Sequence, residues 1–185
     1  MPAFTADAAL VKPLLSAEVL SARVQELGRQ ISLDYAGKEV TLLAVLKGSV
    51  FFATDLARAI TRPLRMEFLG VSSYGGGTET TGEVRITFDV TQPLAGAHIL
   101  LVEDIVDTGL TMQFLLEHLQ ARHPASLRVC ALLEKPARAR VKVPIDYKGF
   151  VIDDVFVVGY GLDFDGRLRN LPFVGELQGE LRPNP

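Results

Sequence analysis

The chain is poor in the residues that covalent or metal scaffolds need. It has one cysteine, Cys130, so no intrachain disulfide can form. Cys130 sits in the apolar run LRVCALL, which marks a packed core thiol rather than a reactive one and suits a reducing compartment. The three histidines, His98, His118 and His123, share no zinc-ligand spacing with it and are left with surface or capping roles. No stretch approaches the ~18 apolar residues of a membrane span, and residues 1–30 lack the basic start and apolar run of a signal peptide, so a cytoplasmic, membrane-free protein is expected. Excess positive charge is missing too. With 19 Lys and Arg against 22 Asp and Glu, the net charge of −3 offers nucleic acid no general attraction, and any phosphate binding must be local.

There is no repeat and no low-complexity tract. What is present is an alternation of short apolar runs with amphipathic stretches over 185 residues, 48% of them hydrophobic, the pattern of one α/β domain spanning 1–185. Val19, Leu20, Val24, Leu27 and Ile31 recur at helical intervals over 15–30, VTLLAVL at 40–46 reads as a strand buried on both faces, and SVFFATDLARAI at 49–60 reads as a helix stopped by Arg62-Pro63. A strand follows at 64–71, then a flexible loop at about 72–84. HILLVED (strand), the stretch from Thr108 to His123 (helix), SLRVCALLEK (strand) and DVFVVG at 154–159 (strand) complete a βαβ pattern. The ends, about 1–35 and 160–185, are expected to form a small hood, and the loops following the strands share one side of the sheet.

The segment VEDIVDTGLTM, 102–112, concentrates the chemistry. Glu103 and Asp104 lie at the carboxyl end of an apolar strand, and Asp107 opens a Thr-Gly turn into a helix. Helix capping by Asp107 or Thr108 accounts for one acid. It does not account for three acids within five residues, which repel one another unless a cation or hydrogen-bond donors compensate. Asp107, Thr108, Gly109, Leu110 and Thr111 offer backbone N–H groups, two hydroxyls and a glycine that admits close approach, the features of a phosphate cradle, although the Walker spacing and its lysine are absent. A phosphorylated sugar with a metal ion satisfies both halves of the segment.

Two acids, two aliphatic residues and DTGLT resemble the phosphoribosyl-diphosphate signature of type I phosphoribosyltransferases. With LKGS, SSY and FVVGYGLDFDGRLRNLP in the same order over roughly 40–177, the chain is most similar to the hypoxanthine-guanine phosphoribosyltransferases. That resemblance implies a central, mainly parallel sheet flanked by helices, with a hood and a flexible lid. It implies transfer of a phosphoribosyl group from phosphoribosyl diphosphate to hypoxanthine or guanine, giving IMP or GMP, with Mg2+ as cofactor and a homodimer or homotetramer as the assembly.

Residue by residue, the resemblance sets the 5'-phosphate on 107–111 and directs Glu103 and Asp104 to the ribose hydroxyls and metal. Lys47, Gly48 and Arg169 face the pyrophosphate, with the Leu46-Lys47 peptide cis. Lys135 faces the 6-oxo group, Phe156 the purine ring and Val157 its edge. Asp163 lies near a second metal and the base, Asp107 is the candidate general base at purine N7, and Ser73 and Tyr74 belong to the lid. Leu110 brings no cation to the phosphate loop. A xanthine-preferring relative and an RNA-binding, nucleotide-sensing regulator on the same fold are the rival readings.

Overall fold

The computed structural model describes residues 10–73 and 84–179. A six-stranded sheet runs in the order β4-β3-β2-β5-β6-β7, formed by Val84–Phe88, Leu64–Ser73, Val40–Leu46, His98–Val106, Ser126–Glu134 and Tyr147–Val151. All neighbouring pairs are parallel except β3 with β4. Strand β2 is fully buried over Leu42–Val45, as a strand covered on both faces must be, and its side chains divide between two cores. Leu42 and Ala44 join helices α1 (Ala17–Asp34) and α2 (Val50–Ala59) through Leu20, Leu27, Phe52 and Leu56. Leu43 and Val45 face helix α3 (Leu110–Gln120) through Met112, Leu115 and Leu119. Cys130 is wholly buried in the first core, and burial raises its thiol pKa, as expected of a packed thiol.

The elements differ from the sequence expectations where periodicity was weak. Helix α1 begins two residues later than expected because Ser16 caps it, its Oγ accepting from Val19 N at 3.3 Å, and Val19 itself lies on the exposed side. Strand β3 extends to Ser73, held by antiparallel pairing with β4, which had been assigned to no strand; Tyr74 and the glycines at 75–77 lie outside the described residues. Strand β7 was not anticipated either, since its half-buried YKGFV lacks an apolar run. The strand expected at 154–159 is reduced to β8, Val157–Val158. The two chain ends meet in a three-stranded sheet of β1 (Val11–Leu15), β9 (Val174–Leu177) and β8, around a small core of Val11, Val158, Leu168 and Leu171, whereas α1 lies on the main sheet. No helix among the described residues is long and apolar enough to cross a membrane.

Helices α1 and α2 touch at Gly28, where an added Cβ would lie 2.5 Å from Ala59 Cβ and 2.8 Å from the Ala59 carbonyl atoms. Ser32 reinforces this contact, donating to Gly28 O at 2.6 Å and accepting from Thr61 N at 2.9 Å. At an exposed helix position Gly→Ala stabilises by ~1 kcal/mol; here overpacking against a rigid backbone costs ~1–3 kcal/mol and decides the sign. Gly28→Ala is therefore expected to lower the urea midpoint with an unchanged slope, measured by circular dichroism.

Candidate active site

Strand order reverses between β2 and β5, and an open α/β sheet binds ligands outside the carboxyl ends of its strands at such a point. Pairing of β2 with β5 stops at Ala44–Val102, while β5 continues along β6 to Val106–Glu134. Glu103 and Asp104 thus lie in the carboxyl-terminal part of the strand, as HILLVED suggested, on a stretch whose β2-facing edge is open. The turn leaving β2 fills that opening. Its Leu46-Lys47 peptide is cis, as the resemblance implied, and Lys47 is exposed. Gly48 packs so closely on Asp104 that a Cβ there would collide with the carboxylate. Behind it, Ser49 is fully buried and donates to Val45 O at 2.6 Å.

Glu103 and Asp104 are poorly compensated. Asp104 accepts from Ile105 N at 2.7 Å, but Glu103 Oε2 is buried without a hydrogen-bond partner. Burial, then the neighbouring charge and hydrogen bond of Asp104, hold the Glu103 carboxyl well above the usual range. Burial also raises Asp104, opposed by the Glu103 hydrogen bond, the Ile105 amide and the charge of Arg169. Adjacent oxygen donors with an orphaned buried oxygen fit a hard divalent cation such as Mg2+, which is held by one or two carboxylates together with substrate oxygens. Asp163 is not beside them as a third ligand. It pairs with Arg169 Nη2 at 2.6 Å and accepts from Gly166 N at 2.7 Å, and among the described residues no three His, Cys, Asp or Glu converge on one point. Arg169 also donates to Gly161 O at 2.6 Å.

Beside Glu103, a cavity of about 250 Å3 is lined by Asp107, Thr108, Gly109 and Thr111. Leu110 is the first residue of α3 and does not line it. Gly109, not Asp107 or Thr108, occupies the helix N-cap, with φ of 82° and no capping side chain of its own; Thr108 Oγ1 accepts from Leu110 N at 3.5 Å, and the amides that follow face no cap. A side chain at Gly109 would be strained by that φ and would strike Val141 O. The loop is shaped from behind, because Thr108 O accepts from Arg140 N at 2.9 Å and from Val141 N at 3.0 Å. Val71 and Val84, at the base of the segment containing Ser73, also line this cavity. Sequence reading missed both, since nothing local pairs β3 with β4.

A second cavity of about 600 Å3 joins Asp107 to Lys135. Lys135 is 7% exposed, its N–H bonded to Val106 O at 2.9 Å and its Nζ 3.9 Å from Asp154 Oδ1. Arg138 Nε lies 3.0 Å from Asp107 Oδ1. It is off the hydrogen-bonding axis, so that oxygen keeps no hydrogen-bond donor. Arg138 and Asp154 were also missed, although Arg138 falls three residues after Lys135 in a 3-10 turn opened by Pro136. Phe156 is 54% exposed and meets Phe164 edge-on at 5.9 Å between centroids, so it is not part of a core. Val157 lies on β8, and neither it nor Phe156 lines these two cavities.

The Phosphoribosyl transferase domain family matches residues 12–165. A hypoxanthine-guanine phosphoribosyltransferase of Mycobacterium avium is 51% identical over 170 residues, covering 89% of this chain and 84% of its own. A hypoxanthine phosphoribosyltransferase of Haemophilus influenzae is 45% identical over 170 residues, covering 90% and 95%. The crystal structure of a hypoxanthine-guanine phosphoribosyltransferase from Bacillus anthracis superposes with a TM-score of 0.85 at 44% identity, covering 89% of this chain and 97% of that one.

The raised carboxyls of Glu103 and Asp104 make a test of the site's cost to folding. Between the ordinary carboxylate range and the raised values the folded chain binds more protons than the unfolded one, so stability falls as pH rises through that window. Glu103→Gln removes one of the two like charges. In thermal scans of the ligand-free protein it is expected to raise the melting temperature at mildly alkaline pH and to flatten its decline from mildly acidic pH.

Proposed function

Because the chain belongs to the hypoxanthine-guanine phosphoribosyltransferases of the phosphoribosyltransferase family, we propose that it transfers the 5-phosphoribosyl group of phosphoribosyl diphosphate to N9 of hypoxanthine or guanine. The products are IMP or GMP and pyrophosphate, the reaction of purine salvage in the cytoplasm. The observation that carries this reading is the meeting, in one cavity, of an uncompensated strand-end carboxylate with a helix start whose N-cap is a glycine. A phosphorylated sugar presents hydroxyls to the first and its phosphate to the second.

The amides and hydroxyls of 107–111 hold the 5'-phosphate, and Glu103 and Asp104 face the ribose hydroxyls. Glu103 and Asp104 would hold Mg2+ together with substrate oxygens, and Asp163 would serve a second ion near the base; bound there, the cation would supply the positive charge that offsets the polyanion. Lys47, the backbone at Gly48 and Arg169 take up the pyrophosphate charge. Phe156, more than half exposed, offers its ring to the purine. Phe156 O accepts from Leu177 N at 2.9 Å, so the alternation of an antiparallel ladder turns the N–H and C=O of Val157 away from β9, which supports their role at the purine edge. Lys135 donates to the 6-oxo group; adenine, with an amine there, leaves a buried ammonium unpaired and is rejected.

In the chemical step the bond from anomeric carbon to pyrophosphate breaks, N9 bonds to that carbon with inversion, and the proton at N7 passes to Asp107. Ser73 and Tyr74 belong to a lid that excludes water from the oxocarbenium-like centre.

One incubation with phosphoribosyl diphosphate, Mg2+ and hypoxanthine, guanine, xanthine or adenine separately, monitored for nucleotide and pyrophosphate, tests the assignment. Product is expected from hypoxanthine or guanine and little from adenine; nucleotide from none of them overturns it, and preference for xanthine moves it to the neighbouring specificity. Asp107→Asn is expected to lower kcat by ~10²-fold or more, the usual share of a general base, with KM values changed only a few-fold. Near-normal turnover removes the base assignment.

A further inference from the structure

The two side chains that address the N7 and 6-oxo edge of the purine are not independent. Asp107 Oδ1 lies 3.0 Å from Arg138 Nε, Arg138 Nη1 lies 3.5 Å from Asp154 Oδ1, and the same Asp154 oxygen lies 3.9 Å from Lys135 Nζ. The order is anion, cation, anion, cation, and the ends of the row are the proposed general base and the proposed 6-oxo donor. We infer that Arg138 and Asp154 are positioning residues for base recognition and proton transfer. They fix Asp107 relative to Lys135 so that one purine engages both. This inference rests on the proposed function and assigns roles to residues that do not touch the purine.

Three features carry it. First, the row joins three separate pieces of chain: the phosphate loop, the 3-10 turn Pro136–Arg138 after β6, and the segment between β7 and β8 that leads to Phe156. Backbone hydrogen bonds from Lys135 N to Val106 O and from Arg140 N to Thr108 O hold the main chains together, and Arg138 can bridge the side chains because a guanidinium presents several donors in a rigid fork. Second, Arg138 meets Asp107 off the hydrogen-bonding axis and leaves Oδ1 without a donor. Oδ1 itself is buried and is held by charge, so the exposed part of the Asp107 side chain lies away from it and is left to take the proton from the purine. Third, Arg138, Asp107 and Asp154 have side chains 41%, 37% and 50% exposed, and ion pairs so open to water contribute little to folding. Lys135, with its side chain 8% exposed, is the buried end, and Asp154 is the carboxylate that the structure provides beside its ammonium. An ammonium without that partner is free to swing, and its bond to the 6-oxo group weakens.

Steady-state kinetics of Arg138→Met, Arg138→Lys, Asp154→Asn and the Arg138→Met/Asp154→Asn double variant, with melting temperatures alongside, tests the row. Arg138→Met is expected to lower kcat by ~10- to 100-fold, the scale of a small displacement of a reacting group, with KM for phosphoribosyl diphosphate within about two-fold of the parent. Arg138→Lys, which keeps the charge and loses the fork, is expected to recover part of that loss. Asp154→Asn is expected to raise KM for hypoxanthine and guanine by ~10-fold and to narrow the preference over adenine, the scale of one hydrogen bond to a charged group. The double variant is expected to lose less than the product of the single losses, because its members act through one chain of contacts. Parental constants in both single variants, strictly multiplicative losses, or losses that follow the melting temperature overturn the row while leaving the proposed function standing. Failure of the unsubstituted protein to form nucleotide removes both.

Discussion

The contact on which the site depends is the seating of the Asp104 carboxylate over Gly48, where the ends of β5 and β2 separate. It brings the two sides of the switch point together without a side chain between them. Gly48 must lack a Cβ for the carboxylate to lie there, and Gly161 in turn must lack one to pack on the Gly48 carbonyl. That second approach sets the segment carrying Asp163 and Arg169 against the turn carrying Lys47. Tyr160 secures it further, its hydroxyl donating to Asp55 on α2 at 2.7 Å. Three stretches far apart in sequence therefore converge because two of their residues are glycine.

Convergence of this kind has an electrostatic consequence. Glu103 and Asp104 repel each other and lack sufficient donors, so the ligand-free site holds its carboxyls in an unfavourable state. Stability is given up where charge is needed for binding, the usual trade at a functional site. The surrounding cores, with Leu42, Leu43, Ala44, Leu100 and Leu101 fully buried, supply the rigidity that keeps the acids from moving apart.

Helix α3 links the phosphate loop to the segment that precedes it. Its N-terminus begins at the cavity, and near its C-terminus His118 and Arg122 both grip Asp89, His118 at 3.1 Å, just after β4. Arg122 also donates to Val90 O at 3.1 Å. Strand β4 is thereby pinned to the helix whose start lines the cavity beside Glu103, which places Val84 at the cavity wall.

Much of this was legible in the sequence because it is local. The apolar run 40–46 could only be a doubly buried strand, the helical spacing of Leu20, Val24, Leu27 and Ile31 predicted one face of α1, and VEDIVDTGLTM marked where a strand end bearing two acids turns into a helix. Other features carry no local signature. Strands β1, β8 and β9 are two to five residues long and exist through pairing between the two chain ends. The edge strands β4 and β7 are partly polar and gain their form from their neighbours. The cap of α3 went to Gly109 rather than to a polar residue because Val141 packs against it from thirty-two positions away. Arg138 and Asp154 have no sequence signal of their own, and only the fold sets them between Asp107 and Lys135. By itself, then, the sequence determined which segments bury and which bear the chemistry, since periodicity and residue type act at short range. Only the tertiary structure decided which charges face one another, since that depends on distances between segments that no single segment contains.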